Sequence, residues 1–444
     1  MPSIDALTTA VIEHIERRRD ALVTTLREMI RVPSVNPAFD TNAPGEAAMA
    51  DDVAARYRAL GIETARYEAA PGRPSIVAHV EGAAAGAAAG AAPHLLVNAH
   101  LDTVQADVGE WYDPFEGKRA GPWTTDPFGG ERREGRIYGR GAADHKSPIA
   151  ALLFALEAIQ ASGVRLAGDL TCIHDADEET GGDLGIHHLA TVVPFDFDMV
   201  LYACSSEFTP LGRTFFSAMG SDNVIRAFAG WHTYRVSVVG QNLHNLTPRR
   251  AYGAIEAALP LLDRLRALAA RVNGETVPLE GTGQPAMRIA GIDTSGRRSF
   301  HHQGREASIV LTRRIPAGTD PDAAIAELRA IIDEHNAACP DNPAAFELVR
   351  SIAPHETPAD HRLVDAFVRS VRRVTGREAT VTGLPAPVGI NALLAHTPLP
   401  TVLFGYGYLN MHHAPDEHIE EAALVAMAQT YAVALIEVLG VVEP

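Results

Sequence analysis

The feature that most constrains this chain is an alternation of short apolar runs with helical patterns over its first two hundred residues. Runs at 75–80, 94–99, 168–174 and 198–203 read as strands, and patterns at 46–60, 147–161 and 182–190 read as helices. Such alternation is the βαβ signature of a mostly parallel sheet covered by helices. Ahead of it, apolar residues recur at helical spacing from Ile4 to Ile30, until the breaker run VPSVNP at 32–37 stops the helix. The low-complexity stretch GAAAGAAAGAAP at 82–93 reads as a bland extended turn.

Near Trp231 the pattern changes. Residues 232–239 alternate as a half-buried strand, 249–272 read as a helix, 285–292 and 306–315 as strands, 321–338 as a helix and 345–352 as a strand. Helix and strand alternation resumes from 359 to 439. The expected fold is therefore α/β: a mostly parallel-sheet domain over 1–227 and 354–444, with a βαββαβ (ferredoxin-like) domain inserted at 228–353. An insertion of that kind exposes a sheet edge and helix faces, which a two-fold pairing would cover, so a homodimer formed through it is expected.

Composition narrows the function classes. Fifty-five acidic against 38 basic side chains give a net charge of −17, which repels phosphate backbones, so nucleic acid is not an expected partner. No run of about 20 apolar residues is free of charge and Pro, so no membrane span is expected. Three scattered cysteines, Cys172, Cys204 and Cys339, make no disulfide framework, and the N-terminal segment lacks an unbroken apolar core with a cleavage site. A cytoplasmic protein fits both.

Chemistry-bearing residues gather at predicted strand ends. The run LLVNAHLDTVQ at 95–105 ends in His100-Leu-Asp102, the spacing at which a carboxylate can orient a metal-bound imidazole, or simply a structural histidine beside an acid. In GRIYGRGAADHKS at 135–147, Asp144 follows a glycine-rich turn, where it either projects into a site or caps the next helix. DADEETGG at 175–182 places Glu178 and Glu179 side by side; paired carboxylates are costly unless a cation holds them or one keeps a proton, and an exposed acidic loop is the plain alternative. FGYGYLNMHHAPDEHIE at 404–420 presents His412 and His413 on a loop. The conjunction matters more than any member: histidines and carboxylates without a cysteine cluster form the ligand set of a two-metal hydrolytic site.

This conjunction resembles the co-catalytic metallohydrolase family of carboxypeptidase G, aminoacylase, acetylornithine deacetylase and succinyl-diaminopimelate desuccinylase. The resemblance runs nearly end to end, through PSVNP, HLDTV, WTTDPF, GRGAADHK, DEETGG and HHAPDE. It implies two divalent metal ions, zinc or else cobalt or manganese, held by His100, Asp144, Glu179, Glu207 and His413, with Asp144 bridging both. Asp102 would steady His100, and Glu178 would be the general base. VVGQNLHNLTP resembles the segment whose histidine, here His244, reaches the partner subunit's site and helps stabilise the oxyanion. TRRIP at 312–316 resembles the strand whose arginine, here Arg314, binds a substrate carboxylate, and Asn391 stands where a substrate-site segment of the family has Asp.

The sequence also departs from the family. Counting six residues from Asp198 lands on Cys204 where a carboxylate ligand is expected; Glu207, in SSEFT, matches the segment better and is favoured, although Cys204 is a chemically acceptable zinc ligand. Thr312 replaces a common Asp, and the aromatic-rich stretch DVGEWYDPFEGKRAG precedes WTTDPF. These departures point to a substrate unlike those of the best-known members. The leading expectation is an amidohydrolase cleaving an N-acyl amino acid or related small amide: the ions lower the pKa of a bridging water, Glu178 takes its proton, and the hydroxide attacks the amide carbon. A dipeptidase or carboxypeptidase with the same centre is the second reading, and an inactive binding protein of the same fold the third.

Overall fold

The structure is a computed structural model that describes residues 4–83, 92–107, 112–113, 118–119, 122–206, 222–240, 253–276, 279, 281–295, 306–395 and 397–442. The chain divides into two compact units. The first comprises Met1–Arg226, Thr357–Thr382 and Ala392–Pro444, and the second Ala227–Glu356 with Gly383–Asn391.

The first unit is built on a sheet whose strands lie in the order Thr64–Glu68, Pro74–Val80, Asp169–His174, His94–Asn98, Met199–Ala203, Thr401–Phe404 and Asn223–Phe228. The central pairings are parallel, with His94 opposite Asp169, Met199 opposite Leu95 and Val200 opposite Thr401. Antiparallel pairings are confined to the flanks. Every residue of Met199–Ala203 is buried, as is expected of a central strand with helices on both faces. The core is apolar throughout, from Val11 and Leu26 through Val97 and Leu152 to Phe404 and Leu435.

Helix Glu421–Leu439 packs against Lys146–Ala161, Arg362–Thr375 and Ile4–Arg17. Among the described residues it alone is long and apolar enough to cross a membrane, yet 78% of its most apolar window is buried inside the fold. Its Glu437 is paired with Arg369 at 2.7 Å. The apolarity of this helix is that of a core element.

The N-terminal segment expected as one helix is two, Ile4–Arg17 and Arg19–Ile30. The break falls at Arg18, whose Nε is drawn to Glu157 at 2.8 Å. The backbone bonds on either side, from Arg18 N to His14 O and from Leu22 N to Arg18 O, keep the two pieces in near continuity. The segment 84–91 of the Ala/Gly stretch and most of the aromatic-rich stretch lie outside the described residues.

The second unit holds a four-stranded antiparallel sheet in the order Ala286–Ser295, Glu306–Ile315, Gly230–Val239 and Ala344–Ile352. Helices Ala254–Val272 and Pro321–Ala338 cover one face, burying Leu261, Leu265, Leu328 and Ile332 against Tyr234, Val236, Ile309 and Leu311. Burial alternates along Gly230–Val239 and Glu306–Ile315, the period-two signature of a sheet with one covered face.

Candidate metal centre

Parallel pairing puts the carboxyl ends of neighbouring strands at one edge of the sheet, the usual place for a site in an open α/β sheet. His100 and Asp102 follow strand His94–Asn98, the Asp177–Thr180 turn follows Asp169–His174, and Cys204 follows Met199–Ala203. Asp144 arrives from a separate turn. There Gly139 and Gly141 take φ of 150° and 87°, and side chains at either position would collide with Ile30 and Lys146. Only glycine fits this bend. Asp144 is not the cap of helix Lys146–Ala161; His145 occupies the N-cap position, without a side-chain capping bond.

The Asp144 carboxylate sits among four imidazoles, and its two oxygens divide them. Oδ1 lies 3.2 Å from His100 Nε2 and 3.0 Å from His145 Nε2. Oδ2 lies 3.1 Å from His412 Nδ1 and 3.3 Å from His413 Nε2. His413 Nε2 is also 2.9 Å from Glu179 Oε2. Two groups able to hold an ion follow, His100 with Asp144 and His145, and Asp144 with Glu179 and His413, sharing only Asp144. Each is a histidine and carboxylate set of the kind that suits zinc, cobalt or manganese.

The protonation pattern shows how acidic this cluster is. Burial opposes it, but Glu178, Asp102 and Asp144 together raise the His100 pKa well above its ordinary value. His413 is pushed up to about 11 by Asp144 and Glu179, against the effect of burial. Burial and the neighbouring Asp144 push Glu179 up to about 7, whereas Asp144 is held well below the usual carboxylate range by His412 and His145, which outweigh its burial. Burial, then the charge on His100, drives His145 well below the usual imidazole value. Buried Glu179 Oε1, His145 Nδ1 and His412 Nε2 have no hydrogen-bond partner among the described residues. The atoms that do face one another around Asp144, Nε2 of His100, His145 and His413 with Glu179 Oε2, are a donor set that a divalent cation accepts, so the residues fit the expected metals.

Glu178 and Glu179 are sorted by exposure. The Glu179 side chain is 5% exposed and engaged with His413, while that of Glu178 is 17% exposed. Glu178 Oε1 accepts the Tyr202 hydroxyl at 3.0 Å, and Oε2 lies 3.7 Å from His100 Nε2. Asp102 does more than stand beside His100. His100 Nδ1 is 3.0 Å from the Asp102 carbonyl and 3.4 Å from its carboxylate. That carboxylate also accepts the backbone N–H groups of Glu178 and Glu179 at 3.1 and 3.2 Å, and Asn36 Nδ2 at 2.9 Å. One acid thus aligns the imidazole and the acidic turn together.

The turn has further anchors that the local sequence does not reveal. Asp177, at φ 67°, takes bonds from Arg73, Asn36 and Leu184 N, and Arg73 is also paired with buried Glu46 at 2.6 Å. Glu417 accepts Ala143 N at 2.8 Å and Asp144 N at 3.1 Å on one oxygen, and Arg140 Nη1 at 2.7 Å and Gly141 N at 3.2 Å on the other. Asp416 holds the backbone of Thr124 and Thr125, tying WTTDPF to HHAPDE. Tyr202, His145, Asn36 and Glu417 were not singled out by sequence. Asn36 and Glu417 stand inside the quoted segments PSVNP and HHAPDE, and that was their only signal.

Glu207 and His244 lie outside the described residues. Cys204 is buried, and burial, then Asp144, Glu178 and Glu179, push its thiol well above the usual range. Arg314 and Asn391 belong to the second unit. Arg314 Nη1 donates to Gln284 O at 3.2 Å, and burial and Arg288 lower its pKa. The Asn391 amide is used locally, donating to Ala353 O and accepting from Val388 N, both at 2.9 Å.

Comparison with known proteins identifies the family and the fold. The description Peptidase family M20/M25/M40 matches residues 96–437. Acetylornithine deacetylase of Salmonella arizonae is 27% identical over 340 residues, covering 73% of this chain and 75% of the relative. Among solved structures, human carnosine dipeptidase 1 superposes with a TM-score of 0.66 at 18% identity, covering 98% of this chain and 99% of that one. A dinuclear metal-binding peptidase of the M20 family from Bacillus subtilis gives 0.65 at 14% identity, covering 96% and 100%.

Proposed function

The chain belongs to peptidase family M20/M25/M40 and is a metal-dependent hydrolase of amide bonds, and from that premise we propose that it removes the acyl group from an N-acyl amino acid or a related small amide. The observation that carries this reading is the division of Asp144, whose two oxygens each serve a separate set of donors. His100 and Asp144 would hold one ion, and Asp144, Glu179 and His413 the other, with Glu207 as the remaining carboxylate ligand. Zinc is the expected metal, with cobalt or manganese as chemically acceptable substitutes. When bound, the pair of ions supplies Lewis acidity, lowering the pKa of a water and polarising the amide carbonyl.

The protein's own groups do the rest. Glu178 takes the proton of the attacking water and returns it to the leaving amine. The Tyr202 hydroxyl fixes Oε1 of that carboxylate and turns Oε2 toward His100. Asp102 keeps His100 and the Glu178–Glu179 turn in register. His244, contributed by the partner subunit of a homodimer, stabilises the oxyanion, and Arg314 and Asn391 recognise the substrate. Cytoplasmic residence accords with three free thiols.

The test is a panel of N-acyl amino acids and dipeptides presented to metal-loaded protein. Preferential hydrolysis of acyl amino acids supports the reading, and cleavage of dipeptides alone transfers the assignment to a dipeptidase. Glu178→Gln is expected to lose roughly 10²–10⁴-fold in rate while retaining its metals. A variant that keeps most of its rate removes Glu178 as the base.

A further inference from the structure

The resemblance assigns no role to the residue after Asp144, yet the structure places a buried imidazole there. His145 is 2% exposed, and its Nε2 approaches the same Asp144 oxygen as His100 Nε2, at 3.0 and 3.2 Å. The two rings lie tilted at 37° with centroids 4.0 Å apart, and Tyr202 meets His145 edge-on at 5.4 Å. His100 Nδ1 faces the Asp102 carbonyl, which fixes that ring's remaining nitrogen toward Asp144.

We propose that His145 is itself a metal ligand, joining His100 and Asp144 Oδ1 so that the first ion of the centre sits in an imidazole-rich pocket. The inference rests on the two-ion reading above and deepens it. Buried His174, by contrast, has both nitrogens engaged in the fold, with Nδ1 on Ala99 O at 3.0 Å and Nε2 on the Tyr57 hydroxyl at 2.8 Å. His145 shows no such arrangement: its Nδ1 has no hydrogen-bond partner among the described residues, and its Nε2 points into the cluster. His100, Asp144 and His145 each offer a ligand atom within 4.8 Å of the others'. Two imidazole nitrogens and one carboxylate oxygen favour zinc, cobalt or nickel over manganese or magnesium, because imidazole suits the borderline ions and oxygen the hard ones. With His145 in place the pocket gains a third donor from the described residues.

The competing role is a hydrogen-bond donor that only orients Asp144. Both roles weaken metal binding on substitution, so affinity alone does not separate them. The discriminating experiment is proton NMR of the full-length protein loaded with cobalt(II), in which each coordinated imidazole gives a strongly shifted, exchangeable ring N–H signal. His145→Gln is expected to lose one such signal while those of His100 and His413 persist, and to bind its weaker ion at least about 10-fold less tightly. His145→Asn repeats the test with a smaller side chain, and circular dichroism checks that each variant is folded. An unchanged set of shifted signals in a folded variant overturns the proposal. Independently of any variant, zinc-edge absorption of the wild-type protein should require three imidazoles per pair of ions, and a fit satisfied by two also overturns it. Wild-type protein that saturates at fewer than two cobalt ions refutes the dinuclear reading itself, an outcome distinct from both.

Discussion

Glu417 offers a demanding test of how the metal centre is held. It is fully buried, its partner Arg140 is 1% exposed, and their ion pair is 2.7 Å long. Glu417→Ala leaves the guanidinium buried without its counter-charge, a change that costs about 3–5 kcal/mol. The backbone N–H groups of Gly141, Ala143 and Asp144 lose their acceptor at the same time, each worth up to about 1–3 kcal/mol if water does not replace it. These losses share one site and do not simply add. Taking the ion pair alone, at roughly 1.6 °C per kcal/mol for a unit of about 300 residues, the midpoint of thermal unfolding should fall by about 5–8 °C. Glu417→Gln retains an oxygen for Ala143 and Asp144 but removes the charge facing Arg140, so its loss should be smaller, about 1.5–3 kcal/mol. Because the acceptor for Asp144 N survives in Gln and vanishes in Ala, the two variants should differ in metal affinity as well as in stability. Calorimetry of the metal-free proteins and zinc titration against a chromophoric chelator measure the two effects. If Glu417→Ala unfolds within about 1 °C of wild type and binds both ions as tightly, the pair does not hold the Asp144 turn and the reasoning fails.

Three further outcomes are expected. Tyr202→Phe keeps the ring against His145 but removes a hydrogen bond to a carboxylate, so kcat should fall about 10–100-fold with metal content unchanged; a wild-type kcat would show that Glu178 is oriented without it. His174, which burial lowers to about 4, stays neutral in the fold while the unfolded chain takes up a proton near pH 6.5. Its contribution is therefore complete above pH 6.5 and is lost as pH falls toward 4, about 2 kcal/mol having gone at pH 5. Urea denaturation of His174→Gln between pH 7 and 5 should show a loss smaller than wild type by that amount, and parallel curves would contradict it. Mixing inactive Glu178→Gln with inactive His244→Ala should restore some activity, since one site of a mixed dimer holds both intact residues; no recovery in a mixture shown to exchange subunits would confine His244 to its own chain.

What the sequence determined by itself was whatever depends on neighbours along the chain. Apolar runs short enough for strands and long enough to be buried on both faces marked His94–Asn98, Asp169–His174 and Met199–Ala203, and the alternation of Gly230–Val239 marked a sheet covered on one face only. Motifs attached to those runs, His100-Leu-Asp102 and Glu178-Glu179, were legible because a strand end fixes where the next few residues point. The break at Arg18 was not legible, since apolar spacing runs through it and its anchor, Glu157, lies 139 residues away. Nor was the way the Asp144 oxygens divide the histidines, or the grip of Glu417 on the Asp144 turn from 273 residues further on. Periodicity reports burial, which is a property of a short segment. Which buried polar groups satisfy one another is decided only when distant segments are packed together, because an unpaired charge or N–H selects its partner by proximity in space.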